Sequence, residues 1–151
     1  VYNLSITGAL IEAWGLERAG EWAKGVADNL ARPPEGGDRD QIRAVGAGAC
    51  EIALTNSYYF FLLANGENAD DRAMTQRVKL AFPSLDGQGS HVNVSGGGVL
   101  ANAPNREAAV KLLEYLASPE AQAMVSQHNF EFPATPGVPT PEALAPYADF
   151  K

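Results

Sequence analysis

The stretch Glu51–Leu63, EIALTNSYYFFLL, constrains the fold more than any other part of the chain. Glu51-Ile52-Ala53-Leu54 reads as a short buried strand, and Asn56 or Ser57 is suited to cap a helix through Phe60, Phe61, Leu62 and Leu63. A buried strand feeding directly into a helix belongs to layered α/β architectures. The same junction places Tyr58 and Tyr59 in the first turn of the helix. Unpaired backbone N–H groups and the positive end of the helix dipole meet there, and both favour an anion such as a phenolate. A phenol at this position is expected to ionise more readily than one in water, where its pKa is about 10.

Consecutive helical side chains point about 100° apart, so two neighbouring tyrosines normally face different surroundings. Only at an exposed helix tip can both bend toward one point. A hard, highly charged cation gives them a reason to do so, because phenolate is a hard oxygen donor and a metal's charge can displace its proton. Ferric iron fits that description. On the pair alone a second reading stands beside it and is the commoner one: Tyr58 and Tyr59 as ordinary aromatics of a Tyr-Tyr-Phe-Phe run, half core and half rim.

The remainder of the chain continues the helical theme. Asn3 is placed to cap a helix carrying Leu4, Ile6, Leu10, Ile11 and Trp14, ended by Gly15, which puts Tyr2 just ahead of a helix tip. A second helix is expected over 16–30, and Asp38 is placed to cap a third through Ile42 and Val45. Strands are expected at 78–82 and over 91–100, the latter interrupted by Gly96-Gly97-Gly98, a backbone suited to close approach. Asn105 opens a helix to Leu116, Ser118-Pro119 opens another to about His128, and a proline-rich extended tail follows from Phe130. Helices alternating with short strands point to an α/β class with an open sheet.

At 151 residues, with 46% hydrophobic and 19% charged residues, the chain has the composition of a globular domain or of part of a two-lobed protein. A net charge of −7 argues against nucleic acid as a partner, since phosphates would be repelled. Cys50 is the only cysteine, which rules out an intrachain disulfide and a multi-cysteine metal site. No apolar run is long enough to span a bilayer. The chain opens VYNLSITG without a signal peptide, an opening expected of a cut inside a longer protein. Asp86, His91 and Ser95 could be imagined as a hydrolase set, but Asn93-Val94-Ser95-Gly96-Gly97 is not the G-x-S-x-G elbow, and the chain is not expected to be an enzyme.

Four segments together resemble the periplasmic ferric-iron-binding proteins of ABC transporters, within the type II periplasmic solute-binding fold. They are ARPPEGGDRDQIRAV at 31–45, EIALTNSYY at 51–59, GSHVNVSGGGVLANAPNREAAVKLLEYLASPEAQ at 89–122 and FEFPATPGVP at 130–139. The resemblance implies Fe(III) bound by Tyr58 and Tyr59 in an interlobe cleft. It also implies a third phenolate from Tyr2, because one branch of the family carries a tyrosine followed by asparagine at a similar distance from the pair. Three phenolates neutralise a trivalent cation without an added anion. Some relatives hold an anion with an amide at the position of Asp38; a carboxylate there would repel it, and Asn56 is a further candidate contact to a ligand oxygen.

The resemblance further implies a monomer of periplasmic location that delivers iron to an ABC-transporter permease. It makes this chain the C-terminal portion of such a protein, the first lobe lying before Val1. Residues 1–88 and about 140–151 would form mainly the second lobe, an open sheet flanked by helices, with about 89–139 crossing to the first. The competing expectation keeps the scaffold and changes the ligand to a polyamine, a sulfate or a sugar phosphate, because function lives in the site and not in the fold.

Overall fold

Gly15 decides how the chain begins. Its backbone, φ 81 and ψ 163, is one that L side chains rarely adopt, and it separates helix α1, Tyr2–Trp14, from helix α2, Leu16–Asp28. Its N–H donates to the Ile11 carbonyl at 2.8 Å, closing α1, while its own carbonyl accepts the Ala19 N–H at 3.1 Å, opening α2. The two helices then pack on each other and bury Leu10 and Ala19. Helix α1 starts two residues earlier than an Asn3 cap would place it, so Tyr2 lies within its first turn.

The computed structural model describes residues 2–87 and 89–149, and the chain divides into a compact unit up to Asn93 and a second one, Val94–Asp149. The first unit holds three more helices: α3, Asp38–Gly46, α4, Ser57–Ala64, and α5, Ala69–Thr75. They pack together around Ile42, Leu63 and Met74, with Tyr59, Phe60 and Val78 against that core. Asn68 caps α5, its Oδ1 accepting the backbone N–H of Asp70 and Asp71. Arg43 ties α3 to α5 through a two-pronged pair with Asp71, at 2.8 and 2.9 Å. Its guanidinium holds the Asp71 carboxyl below the usual carboxylate range.

The second unit is built on α6, Arg106–Leu116, and α7, Pro119–Asn129, followed by a short 3₁₀ turn, Ala145–Tyr147. Ser118 caps α7 by accepting the Ala121 N–H at 3.2 Å, with Pro119 at the first helical position as the sequence predicts. The tail after Phe130 is strapped down by polar contacts: Ser126 donates to the Glu131 carbonyl, Ala134 N–H to Gln122 Oε1 and Thr135 to the Ala117 carbonyl. Gly97 meets Leu113 so closely that an added Cβ would sit 2.9 Å from its Cδ2, so this glycine is a true close approach.

One part of the fold expectation is not confirmed. The sequence reading calls for an α/β open sheet, yet among the described residues there is no strand. Segments 51–54, 78–82 and 91–100 run without a paired ladder. The physical reason is visible in their side chains: Ile52 is 81% exposed, Val94 79% and Leu100 78%, so the apolar residues that would drive sheet burial have nothing packed on them. A cap assignment also changes: Gly37, not Asp38, occupies the cap position of α3. Asn56 does hold the cap position of α4, though without a side-chain bond to the helix. Of the proposed lobe boundaries, residues 1, 88, 150 and 151 lie outside the described residues.

The α3–α4–α5 core is small, so it should be sensitive to single truncations. Leu63→Ala should cost about 2–5 kcal/mol in urea unfolding, whereas the same change at exposed Leu4 should leave the midpoint nearly unchanged.

Candidate metal centre

Three phenols meet in the first unit. Tyr58, in the first turn of α4, donates its hydroxyl proton to the Tyr2 hydroxyl at 3.3 Å, joining the starts of two helices 56 positions apart in sequence. Tyr58 and Tyr59 are not splayed as consecutive helical residues normally are: their ring centroids lie 4.2 Å apart with planes inclined at 38°. The Tyr59 ring rests on the Ile42–Leu63–Met74 core. The Tyr58 hydroxyl is hydrogen-bonded to Tyr2, and its ring lies against that of Tyr59. Tyr2 is about half exposed, and Tyr58 and Tyr59 are half-buried.

The electrostatics run opposite to the simplest expectation. A helix N-terminus alone would ease ionisation of Tyr58, but its pKa is raised well above the ordinary tyrosine value. Burial is the largest cause, followed by the hydrogen bonds to Tyr2 and Tyr59 and by repulsion from their charged forms. Tyr58 holds its proton, and a cation's charge is what would displace it. Chemically the cluster is a preassembled set of hard oxygen donors. Among the described residues no group of three His, Cys, Asp or Glu side chains is placed to hold a metal.

Asn56 and Asp38 are also brought together, in supporting roles. The Asn56 backbone N–H donates to Asp38 Oδ1 at 3.1 Å, so a carboxylate from the first turn of α3 satisfies an amide at the entry of α4. The Asn56 side chain accepts from Asn93 Nδ2 at 3.0 Å. Arg39 lies with its guanidinium carbon 5.6 Å from the Tyr59 ring centroid, a contact the sequence does not signal. The imagined hydrolase residues each have other partners: Asp86 pairs with Arg18, His91 bonds Ser5 and Asn93, and Ser95 donates to Glu131 at 2.7 Å.

Residues 4–151 match the family of bacterial extracellular solute-binding proteins. The chain belongs to that family. Within it, the chain is 44% identical over 150 residues to iron uptake protein A1 of Synechocystis sp., covering 99% of this chain and 42% of that protein. The Trichodesmium IdiA/FutA structure in complex with iron and citrate ligands is 50% identical, with a TM-score of 0.90 over 99% of this chain and 48% of its own. The ferric binding protein from Campylobacter jejuni superposes with a TM-score of 0.94 at 37% identity, again over 99% and 48%. The resemblance carried by the four sequence segments therefore holds, and it holds for a part: the chain spans less than half the length of these relatives. Their names speak of iron uptake and ferric binding and not of catalysis. The helical framework is shared with ferric-binding structures even though the expected sheet is missing among the described residues. No helix of the described residues is long and apolar enough to cross a membrane.

The raised Tyr58 pKa has a measurable consequence for the metal-free protein. Below about pH 10 the phenol is neutral in both the folded and unfolded chains, and its contribution is fully present. Above that pH the unfolded chain gives up the proton while the fold retains it, so stability should fall as pH rises. Thermal melts between pH 8 and 11 should show this decline, and Tyr58→Phe should make it shallower.

Proposed function

We propose that this chain supplies the tyrosine half of a ferric-iron site: Tyr2, Tyr58 and Tyr59 bind Fe(III) as phenolates. The single observation that carries the reading is the Tyr58–Tyr2 hydroxyl contact at 3.3 Å beside the adjoining, tilted ring of Tyr59, three hard donors from two helix starts. The relatives, named for iron uptake and ferric binding, support it. Three phenolates balance the charge of the ion by themselves. Asp38, whose Oδ1 already accepts from Asn56, adds a carboxylate and no anion-binding donor to this region. Asn56, fixed between Asp38 and Asn93, is the polar side chain positioned to contact a further ligand oxygen.

The wider role follows from the same relatives. The full protein would be a periplasmic monomer that captures ferric iron in a cleft between two lobes and passes it to an ABC-transporter permease. Residues 1–88 with about 140–151 would belong mainly to its second lobe, and about 89–139 would cross to the first. A chain spanning less than half its relatives would hold only part of the ligand set, so it should bind iron more weakly than a chain containing both lobes.

Binding exchanges phenol protons for iron, so affinity should rise with pH and up to three protons should be released per ion. Titration with ferric citrate should produce a phenolate-to-iron charge-transfer band in the visible. Tyr58→Phe should weaken binding by more than the roughly 10–100-fold that loss of an outer partner costs, with the helical circular dichroism unchanged. Iron binding that is indifferent to Tyr58→Phe would overturn the reading and favour the same scaffold serving a polyamine, sulfate or sugar phosphate.

A further inference from the structure

The two helix starts that carry the phenols belong to different packing groups. Helix α1 packs on α2, whereas α4 packs on α3 and α5. The contact between Tyr2 and Tyr58 thus spans a seam that the principal helix packing does not close. A run of polar side chains crosses the same seam. Ser5, one helical turn beyond Tyr2 on α1, has its Oγ 3.1 Å from His91 Nε2. The same His91 nitrogen lies 3.2 Å from Asn93 Oδ1. Asn93 Nδ2 then donates to Asn56 Oδ1 at 3.0 Å, and the Asn56 N–H donates to Asp38 at the start of α3. The relay runs from α1 to the entry of α4, the two elements that must stay in register for three phenols to meet.

We propose that His91 is a positioning residue of the phenol cluster, holding α1 against the entry of α4 through Ser5 on one side and Asn93–Asn56 on the other. The inference rests on the ferric reading of the cluster. The hydrogen-bond chemistry fixes how the ring works. Asn93 turns its amide nitrogen to Asn56, so its oxygen faces His91 and can only accept. Nε2 therefore carries a proton, which it shares between the Asn93 oxygen and the Ser5 hydroxyl oxygen. A side chain without a donor at that point leaves both oxygens without their bridge. Ser5 and Asn93 are exposed and His91 is half-buried, so the relay adds little to core burial. Its distinctive effect is on the placement of Tyr2.

The experiment compares the wild type with Ser5→Ala, His91→Ala, His91→Gln and, as a benchmark, Tyr2→Phe. Each protein is titrated with ferric citrate while the charge-transfer band is recorded, and the iron-free proteins are examined for a nuclear Overhauser effect between the Tyr2 and Tyr58 rings. Ser5→Ala and His91→Ala should lose that ring contact, weaken iron binding roughly 10–100-fold and shift the band toward that of Tyr2→Phe. His91→Gln, whose amide nitrogen can serve both oxygens, should restore the contact and the band. Exposed Ser5 tolerates truncation, so a His91→Ala protein that fails to fold leaves Ser5→Ala to decide. A ring contact and band that persist in Ser5→Ala and His91→Ala overturn the positioning role. A wild type with no charge-transfer band overturns the ferric reading instead, and loss of the ring contact in the iron-free variants still reports on His91.

Discussion

Burial of a phenol beside other phenols governs this site. Phenols packed close together can stay neutral at little cost, but ionising them together in a half-buried place is unfavourable unless a compensating charge arrives. Tyr58 shows this most clearly, since burial and its two phenol neighbours all act to keep its proton. Much of the first unit serves to make that crowding possible: Gly15 turns α1 back onto α2, the Ile42–Leu63–Met74 core seats the ring of Tyr59, and Asp38 holds the entry of α4.

The parts of this arrangement that are local were legible in the sequence. Gly15 as a helix break, Ser118-Pro119 as a helix start, and Tyr58-Tyr59 at a helix tip all depend on residues within a few positions of one another, where backbone conformation and capping chemistry dominate. The cap of α3 was misread by one position, because Asp38 has a longer-range use that no local rule shows: its carboxylate serves an amide 18 residues away. The third phenol was not legible from spacing at all. Tyr2 and Tyr58 stand 56 residues apart, and only resemblance to a family connected them.

The strands were illegible for a different reason. The β-type composition of segments 51–54 and 91–100 states a preference, but a strand exists only when a neighbour completes its hydrogen bonds. Among the described residues the preference is present and the paired neighbour is not, and Ile52, Val94 and Leu100 are exposed. Likewise, a histidine in Gly-Ser-His-Val-Asn has no sequence signal that would join it to a serine 86 positions away, so the link from Ser5 to Asn56 emerges only from the coordinates.

Tyr58 and Tyr59 share one stretch of backbone, and that has a mechanical corollary. As proposed donors anchored to adjacent residues of one helix, they would act as a single claw, with much of their ordering entropy spent when the helix folds and not when an ion arrives. Tyr2 sits on a separate lever. In the ferric site proposed above, displacing one helix would change the number of grips on the ion from three to two while leaving the claw intact, a graded hold in place of an all-or-none one.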